Sequence, residues 1–428
     1  MSTTLNTTLR TTPQAPAVKT GSIFLSTPVL VVAAALTVAS FVVMNFQQGY
    51  PPFFTRDYRA PNDYLVYYRG AQRFLSEDNL YLDEIFINGT EHLPYSYPPT
   101  SILFFLPMLL FSEAAGWVVF SCVNAACLWW VMALTLSRCG SAEAKKWALL
   151  LMPLACWVDP VNSTMYHGQI NLVLMALVAT DLWWNAPSRP TWIPRGLLVG
   201  IAAAVKMIPA IFGLYFIARR DWKALATAFA TGATAILVTL LARPNVVIYY
   251  FTEQTDKMRI ELIPAKAHNV AASSLIARYV PADGKAFFSV LIYGAVVLVG
   301  ILALRRLVRA GADEAATLCT AFMGILLPPI SWQHHYVWAI PLLIVVFFAV
   351  RRTGNVWIAF IGVWYLAIST FFVPHKQIAH HVITYPDDYN MFDIFQSSYV
   401  VWALTLLAVM ALNAKDFTLS DSKDTDRD

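Results

Sequence analysis

Charged residues are scarce in this sequence. Asp, Glu, Lys and Arg make up 13% of its 428 residues, whereas 58% are hydrophobic, and a soluble domain normally carries about 25% charge. Several apolar runs are long enough to cross a ~30 Å hydrocarbon core as helices. The composition therefore excludes a soluble enzyme and predicts an all-α polytopic membrane protein. The net charge of +4 comes from scattered loop residues and gives no reason to expect a nucleic-acid partner.

Several motifs of nucleotide-dependent and hydrolytic enzymes are also missing. The sequence has no G-x-x-x-x-G-K-[ST] phosphate loop and no G-x-S-x-G nucleophile motif. D-x-D triplets, which hold metal-bound nucleotide sugars, are absent outside the polar C-terminal tail. We therefore expect no cofactor and no metal, and a leaving group that is already attached to a lipid. The five cysteines are expected to be small core residues rather than disulfides or metal ligands: Cys122, Cys127, Cys139, Cys156 and Cys319.

About twelve hydrophobic segments follow one another along residues 22–413, which we expect to form one membrane domain without an internal repeat. Residues 1–21 and 414–428 form polar tails on either side. Basic clusters on alternate loops of the second half place both tails in the cytoplasm, because short cytoplasmic loops collect Lys and Arg. The remaining long passages are then loops on the outer side: 47–98, 243–285 and 374–395.

Three of the twelve segments do not have the pattern of a simple spanning helix. Segments 99–111 and 147–158 are short, and segment 196–218 is interrupted by Lys206. If every segment crosses, the basic loop 137–146 falls on the outer side, against the orientation rule. We therefore expect one of the three to be a re-entrant or broken helix that lines a cavity.

The loop 47–98 carries the motif DYLVYYRGAQRFL, which begins at Asp63. The motif predicts a short helix in the membrane interface, with its arginines towards lipid headgroups. Helical spacing gives it two sides: Leu65, Tyr68, Gln72 and Leu75 on one, and Arg69 with Arg73 on the other. Asp63 lies in the first turn, where it is either a reactive carboxylate or an ordinary helix cap. Asp57 lies between two arginines, which favours an ion pair over catalysis.

Lys206 is the most unusual residue of the apolar segments. It occurs in AAAVKMIPAIF, about thirteen residues from the next arginine, which is too deep for its ammonium to reach the surface easily. An intramembrane lysine is costly unless it is paired or hydrated, and it marks a site by default. Pro209 frees backbone carbonyls beside it. We expect Lys206 to bind a phosphate.

Two further motifs place polar groups next to apolar segments. Tyr97 is followed by two prolines at the start of segment 99–111, and His167, Gln169 and Asn171 lead directly into segment 170–184. Polar groups in such positions either cap a helix or line a polar cavity. An interfacial aromatic belt suffices for the neighbouring Tyr95.

The motif PPISWQHHY joins two apolar segments by a tight outward turn and contains His334 and His335. Adjacent histidines point in different directions on a helix, so they form a poor bidentate metal site. One of them can orient a carboxylate or relay its proton. Histidines and aspartates of the loop 374–395 have no spacing typical of zinc ligands.

These motifs together resemble one enzyme family. Asp63 with VYYRGAQRFL, then PYSYPPTSILFFLP, HGQINLVLMALVATD, AAAVKMIPAIF and PPISWQHHYVWAIPLL, look like the bacterial glycosyltransferase family 87 over about residues 22–413. Members of that family have the GT-C fold, a bundle of membrane helices with long extracytoplasmic loops, and use polyprenyl-phosphate sugars. The sequence looks most like the α-1,2-mannosyltransferases that act on phosphatidylinositol mannosides and lipomannan. Arabinofuranosyltransferases are more distant relatives.

The resemblance implies an inverting, metal-free transfer at the outer face of the plasma membrane by a monomer. Its partners are a polyprenyl-phosphate mannose donor, a glycolipid acceptor and membrane lipids. The family's catalytic carboxylate corresponds to Asp63, although Asp57 is close, and His335 or His334 is expected to assist it. Lys206 then serves the phosphate. The remaining expected pocket residues are Tyr97, His167, Gln169, Asn171, Trp332, Gln333 and Arg69.

Two other function classes remain as alternatives. A transporter also has about twelve segments, a buried lysine and a proline-broken helix, but it usually shows two pseudo-symmetric halves. A non-catalytic scaffold explains neither Lys206 nor the outward histidines. The sequence cannot select the acceptor, because that depends on how the outer loops pack.

Overall fold

The computed structural model describes residues 23–47, 60–76, 79–88, 91–184, 189–254, 269–382 and 391–419. The described chain is almost entirely helical. Its helices are α1 (Thr27–Gln47), α2 (Asn62–Leu75), α3 (Pro99–Leu110), α4 (Glu113–Arg138), α5 (Ala144–Trp157), α6 (Asp159–His167), α7 (Asn171–Trp183), α8 (Leu197–Val205), α9 (Ile208–Arg219), α10 (Trp222–Ala242), α11 (Pro244–Tyr249), α12 (Ala272–Tyr279), α13 (Lys285–Ala310), α14 (Asp313–Leu326), α15 (Ala339–Thr353), α16 (Val356–Val382) and α17 (Met391–Leu412).

One small β hairpin interrupts this pattern. Strands β1 (Ile85–Asn88) and β2 (Glu91–Leu93) pair antiparallel, with Ile85 opposite Leu93. The dipeptide Asn88-Gly89 begins at the last residue of β1, and in the sequence it is a strong hairpin signal. Within the described residues this short hairpin is the exception in a chain that otherwise matches the expected all-α class.

The helices have the length and composition of membrane spans. Within the described residues, five helices are long and apolar enough to cross a bilayer: Thr27–Met44, Glu113–Arg138, Trp222–Ala242, Ala282–Ala310 and Gln333–Thr353. Large apolar side chains on them face outward, as lipid-facing residues must. The protein is an all-α, multi-pass membrane protein. Twelve crossing helices, however, are not confirmed.

Ion pairs define one face of the helix bundle, which we call the basic face. There Arg138 pairs with Glu314 at 2.5 Å, and Arg219 pairs with Asp313. Both acidic residues lie in the first turn of α14. Helix α10 leaves this face, and Arg243 at its other end donates to the carbonyl of Phe74 in α2. Since α10 is 21 residues long, α2 lies about 30 Å from the basic face. We call this opposite end the α2 face.

Helix α3 begins and ends at the α2 face. Just before it, the Tyr97 hydroxyl lies 2.7 Å from that of Tyr67 in α2. Just after it, the Phe111 carbonyl accepts a hydrogen bond from the Tyr68 hydroxyl at 2.9 Å. Segment 99–111 therefore does not run to the basic face. Helix α4 consequently runs from the α2 face to the basic face and carries the loop after it to the basic face, which removes the orientation conflict.

Helices α8 and α9 form a pair whose two outer ends lie at the same face, with Lys206 at its tip. The pair starts at the basic face, where Arg195 lies 3.6 Å from Asp221 at its far end. The helix breaks at Lys206, whose backbone is extended (φ −145°, ψ 130°). The break frees carbonyl groups, and the hydroxyl of Thr100 in α3 donates to one of them, that of Ala204.

The helical part of the chain extends beyond the apolar segment 147–158 in both directions. Helix α5 contains Pro153 and ends at Val158, whose backbone is extended, and α6 continues at once to His167. The buried carboxylate of Asp159 in the first turn of α6 accepts a hydrogen bond from Tyr399 at 2.9 Å. Together α5 and α6 return the chain from the basic face to the α2 face.

The predicted interfacial helix exists, but its contacts differ from the prediction. Its buried face is mostly aromatic and belongs to the protein core; it includes Tyr64, Tyr67, Tyr68, Ala71 and Phe74. Arg69 pairs with Glu113 at 3.0 Å and donates to carbonyls of β1. Arg73 donates to the carbonyls of Asp83 and Glu84. The arginines therefore bind protein rather than lipid headgroups.

Candidate functional site

A glycine brings Asp63 to the other polar residues. Gly168 follows α6 with φ +71°, a left-handed conformation that costs glycine little. A Cβ at Gly168 would lie 2.8 Å from the Cβ of Tyr64. The first turn of α2 therefore packs directly on this turn. As a result, Gln169 Nε2 donates to Asp63 Oδ2 at 2.6 Å.

Asp63 is not the N-cap of α2. Pro61 holds that position, and no side chain caps the helix there. The carboxylate instead accepts a hydrogen bond from Gln169. Asp63 therefore belongs to the site and does not cap the helix.

Gln169 joins Asp63 to a pair of tyrosines. Its Oε1 accepts from the hydroxyls of Tyr67 at 3.1 Å and Tyr97 at 3.0 Å. The two hydroxyls are themselves 2.7 Å apart. Tyr67 also stacks on Phe105 with ring centroids 4.4 Å apart, which fixes it against α3.

Lys206 reaches the same cluster from the tip of the α8–α9 pair. Its Nζ donates to Asn171 Oδ1 at 3.1 Å and lies 3.0 Å from His335 Nε2 and 3.4 Å from the Tyr97 hydroxyl. Among the described residues, the structure gives Lys206 no ion pair. The cation is held by neutral groups and is therefore ready for an anionic ligand.

The two adjacent histidines have different positions. His335 Nδ1 lies 3.3 Å from the backbone nitrogen of Trp332, and its Nε2 points at Lys206, from whose ammonium it accepts as a neutral imidazole. The His334 ring instead packs between those of His167 and His335, at centroid distances of 5.4 and 4.8 Å. The structure thus places His335 at the site, on Lys206 rather than on Asp63.

An apolar cavity of about 40 Å³ opens beside Lys206. One end is polar, formed by Asn171, Lys206 and His335. The other walls are apolar: Leu174, Met175, Val178, Ile208, Pro209, Ile211, Phe212, Ala321, Ile325, Val337 and Trp338. This division suits the chemistry of a ligand with a charged head and an apolar tail, but about 40 Å³ holds only a few water molecules, so such a ligand enters only when the cavity widens.

Burial controls the ionisation of Asp63. It raises the pKa of the carboxyl from 3.8 to about 6, while the hydrogen bond from Gln169 and the charge of Lys206 act in the opposite direction. Burial also raises the pKa of Tyr67 and of Tyr97, so both remain neutral donors. At neutral pH Asp63 is an ionised carboxylate with a pKa close to that of a useful general base.

The remaining predicted residues lie around this cluster or away from it. His167 Nδ1 lies 2.9 Å from the carbonyl of Ser163, in the last turn of α6. Gln333 Nε2 donates to Gln396 at 2.8 Å, and Trp332 precedes it at the turn. Arg69 is engaged by Glu113, so the structure does not bring it to the cluster.

Asp57, the alternative to Asp63, lies outside the described residues. The side chains of the loop histidines His375, His380 and His381 also lie outside them. Among the residues that the structure describes, no group of three or more His, Cys, Asp or Glu side chains could hold a metal ion.

Tyr67 was not predicted as a site residue. It follows Asp63 by four positions, so the two share one side of α2. That spacing in DYLVYY was the signal available in the sequence.

Comparisons with known proteins give the family. A model of glycosyltransferase family 87 matches residues 95–329, which is more than half of the chain. The chain belongs to glycosyltransferase family 87. The matched range includes Tyr97, Gln169 and Lys206, whereas Asp63 and His335 lie outside it.

Curated relatives extend the similarity over most of the chain. A polyprenol-phosphate-mannose-dependent alpha-(1-2)-phosphatidylinositol mannoside mannosyltransferase of Mycobacterium tuberculosis is 30% identical over 81% of this chain and 83% of its own length. The protein of that name from Mycolicibacterium smegmatis is 29% identical over 84% and 86%. A phosphatidylinositol pentamannoside mannosyltransferase of the latter species is 32% identical over 67% and 70%. No solved structure is significantly similar.

The predicted enzyme class is therefore confirmed: this family 87 protein is a membrane glycosyltransferase. A transporter and a scaffold are both excluded as its main function.

Proposed function

We propose that this family 87 enzyme transfers mannose from polyprenyl-phosphate mannose to a phosphatidylinositol mannoside or lipomannan and forms an α-1,2 linkage. The printed names of its relatives support this donor, acceptor class and linkage. The observation that carries the proposal is Lys206, a cation without an ion pair among the described residues, between the Asp63–Gln169 pair and the apolar cavity.

The donor suits the divided cavity. Its phosphate binds the Lys206 ammonium, with His335 and Asn171 holding the lysine in place. The first isoprene units of its lipid follow the apolar walls between α7 and α9. A buried cation offers an anion a strong interaction because little water competes with it.

The reaction needs one base and one anion site. Asp63 removes the proton of the acceptor 2-hydroxyl, whose oxygen attacks the anomeric carbon of the β-mannosyl phosphate. The bond from that carbon to the phosphate oxygen breaks, and its electron pair leaves with the lipid phosphate. Lys206 stabilises the charge that develops there. The products are the α-mannoside and polyprenyl phosphate, and the configuration is inverted in one step without a covalent enzyme intermediate.

The site faces the outer side of the membrane in this proposal. Asn171 at the site and Asp181 near the basic face lie at the two ends of α7, about 15 Å apart. Basic clusters mark the cytoplasmic side, so the α2 face is extracytoplasmic. We further propose a GT-C-type bundle over residues 22–413, with 47–98 as its catalytic outer loop, acting as a monomer and without a metal.

The test is mannose transfer by the purified protein in nanodiscs. Radiolabelled polyprenyl-phosphate mannose is the donor and a phosphatidylinositol mannoside the acceptor, with and without EDTA. We expect transfer that EDTA does not reduce, and a product sensitive to α-1,2-mannosidase. Loss of transfer with EDTA would contradict the metal-free mechanism alone. Transfer from polyprenyl-phosphate arabinofuranose, and not from the mannosyl donor, would move the enzyme to the arabinosyl branch.

A further inference from the structure

The amide of Gln169 lies at the centre of the hydrogen bonds around Asp63. It donates to Asp63 through Nε2 and accepts from Tyr67 and Tyr97 through Oε1. We propose that Gln169 is a positioning residue for the catalytic carboxylate rather than a sugar ligand, and that the Tyr67 hydroxyl fixes the orientation of its amide. This inference rests on the proposed role of Asp63 as the base.

The orientation of an amide side chain follows from its partners. An ionised carboxylate only accepts hydrogen bonds, so Nε2 must face Asp63 when that residue is charged. A protonated Asp63 can instead donate to Oε1 of a flipped amide. The hydroxyls of Tyr67 and Tyr97 oppose this flip, because one of them donates to the other and the second donates to Oε1 in its present place. They thereby favour the ionised form of Asp63.

The same contact assigns different roles to the two carboxylate oxygens. Gln169 occupies Oδ2 at 2.6 Å. Within the described part of the chain, the carboxylate has no other side-chain hydrogen bond, so Oδ1 remains for the acceptor hydroxyl. Gln169 is 6% exposed and Tyr67 is fully buried, so neither offers a sugar much surface. The ionisable groups that face Asp63 are Lys206, Tyr67 and Tyr97.

The experiment compares Gln169→Leu, Tyr67→Phe and the double variant with wild type. Tyr64→Phe is the matched control, because Tyr64 is an equally buried tyrosine of α2 whose hydroxyl donates to Glu113 and not to Gln169. Two readouts are needed: kcat and acceptor KM against pH, and an infrared titration of Asp63. The infrared band is assigned by difference from Asp63→Asn and does not depend on activity.

We expect Gln169→Leu to lower kcat about 10- to 100-fold at unchanged acceptor KM, and to raise the pKa of Asp63 above its wild-type value. Tyr67→Phe should move both quantities in the same direction by less. The double variant should match Gln169→Leu, because Tyr67 acts through Gln169. Tyr64→Phe should change neither.

A raised acceptor KM with unchanged kcat and an unchanged Asp63 titration in Gln169→Leu would overturn the inference, since Gln169 would then be a substrate ligand. Additive effects of the two substitutions would overturn the role of Tyr67. The proposed function fails separately. A wild-type protein that transfers no mannose would refute it, while the infrared titration would still report whether Gln169 and Tyr67 act on Asp63.

Discussion

Two aspartates near opposite ends of the helix bundle have different surroundings: Asp181 is fully buried, whereas Asp63 is half-buried. Asp181 at the basic face pairs with Arg189 at 2.5 Å and accepts from the backbone N–H groups of Gly196 and Val199 at 3.0 and 2.9 Å. Asp63 at the α2 face receives one side-chain hydrogen bond, from the neutral amide of Gln169. The first carboxylate has a full set of partners, whereas the second has room for another.

The difference separates a structural charge from a reactive one. A buried carboxylate with a cation and two amide donors stabilises the ends of α7 and α8 and can do no further chemistry. Asp63 and Lys206 lie in one cluster and yet are held by neutral groups, which leaves the carboxylate basic and the ammonium available. Such incomplete satisfaction is typical of catalytic sites, where the substrate supplies the missing partners.

Asp63→Asn is expected to have the largest effect on catalysis. The amide cannot accept the proton of the acceptor hydroxyl, so kcat should fall about 10²- to 10⁴-fold. The thermal unfolding temperature should stay equal or rise, because a carboxylate whose pKa is raised by burial is costly to ionise. Transfer assays and differential scanning fluorimetry measure the two quantities.

Glu113→Gln is the matched control, an acidic residue that pairs with Arg69 of the same helix outside the site. It should transfer mannose at close to the wild-type rate. An Asp63→Asn protein with near-normal kcat would exclude Asp63 as the base, and Asp57 would be the next residue to test.

Lys206→Met should have the second largest effect. Removing the cation that stabilises the leaving phosphate should lower kcat about 10²- to 10³-fold and raise the KM for the lipid donor. Lys206→Arg should recover part of the loss, since it keeps the charge but not the compact ammonium. Steady-state kinetics with varied donor concentration measures both values, and unchanged donor KM and kcat in Lys206→Met would contradict phosphate binding.

The pH dependence of transfer follows from the raised pKa of Asp63. The base must be ionised, so kcat/KM should be level above the pKa of about 6 and fall about tenfold per pH unit below it. Lys206 lowers this pKa by its charge. The residual activity of Lys206→Met should therefore decline from a higher pH than that of wild type. A profile that is level down to pH 4 would show that no group with a pKa near 6 controls the reaction.

The sequence identified the residues that the structure brings together better than it predicted the path of the chain. Lys206 and Gln169 were identifiable because a polar residue in or beside an apolar segment is costly and needs a reason. Asp63 lies in a polar loop and was singled out by the family resemblance. The class of fold followed from composition alone. Tyr67 was not predicted because several tyrosines close together in a loop at the membrane surface are equally typical of an interfacial aromatic belt.

The number of crossings could not be predicted for a physical reason. Segments 99–111 and 196–218 are apolar throughout or nearly so, and hydropathy does not distinguish a helix that crosses from one that turns back. The difference lies in tertiary contacts, such as those of Tyr68 with Phe111 and of Arg195 with Asp221. The partners of Arg69 could not be predicted either, because an arginine in a loop can bind lipid or protein.

Asp181→Asn should have the smallest effect on catalysis and a clear effect on stability. Breaking a buried pair leaves Arg189 without its carboxylate, which costs about 3–5 kcal/mol, and the unfolding temperature should fall accordingly. Asp181 makes no contact with Lys206 or Asp63 and lies about 15 Å along α7 from the site. The kcat of the folded fraction, normalised by active-site titration with labelled donor, should therefore equal that of wild type. A normal unfolding temperature with a reduced kcat would remove the distinction between the two aspartates, because it would show that the basic face takes part in the reaction.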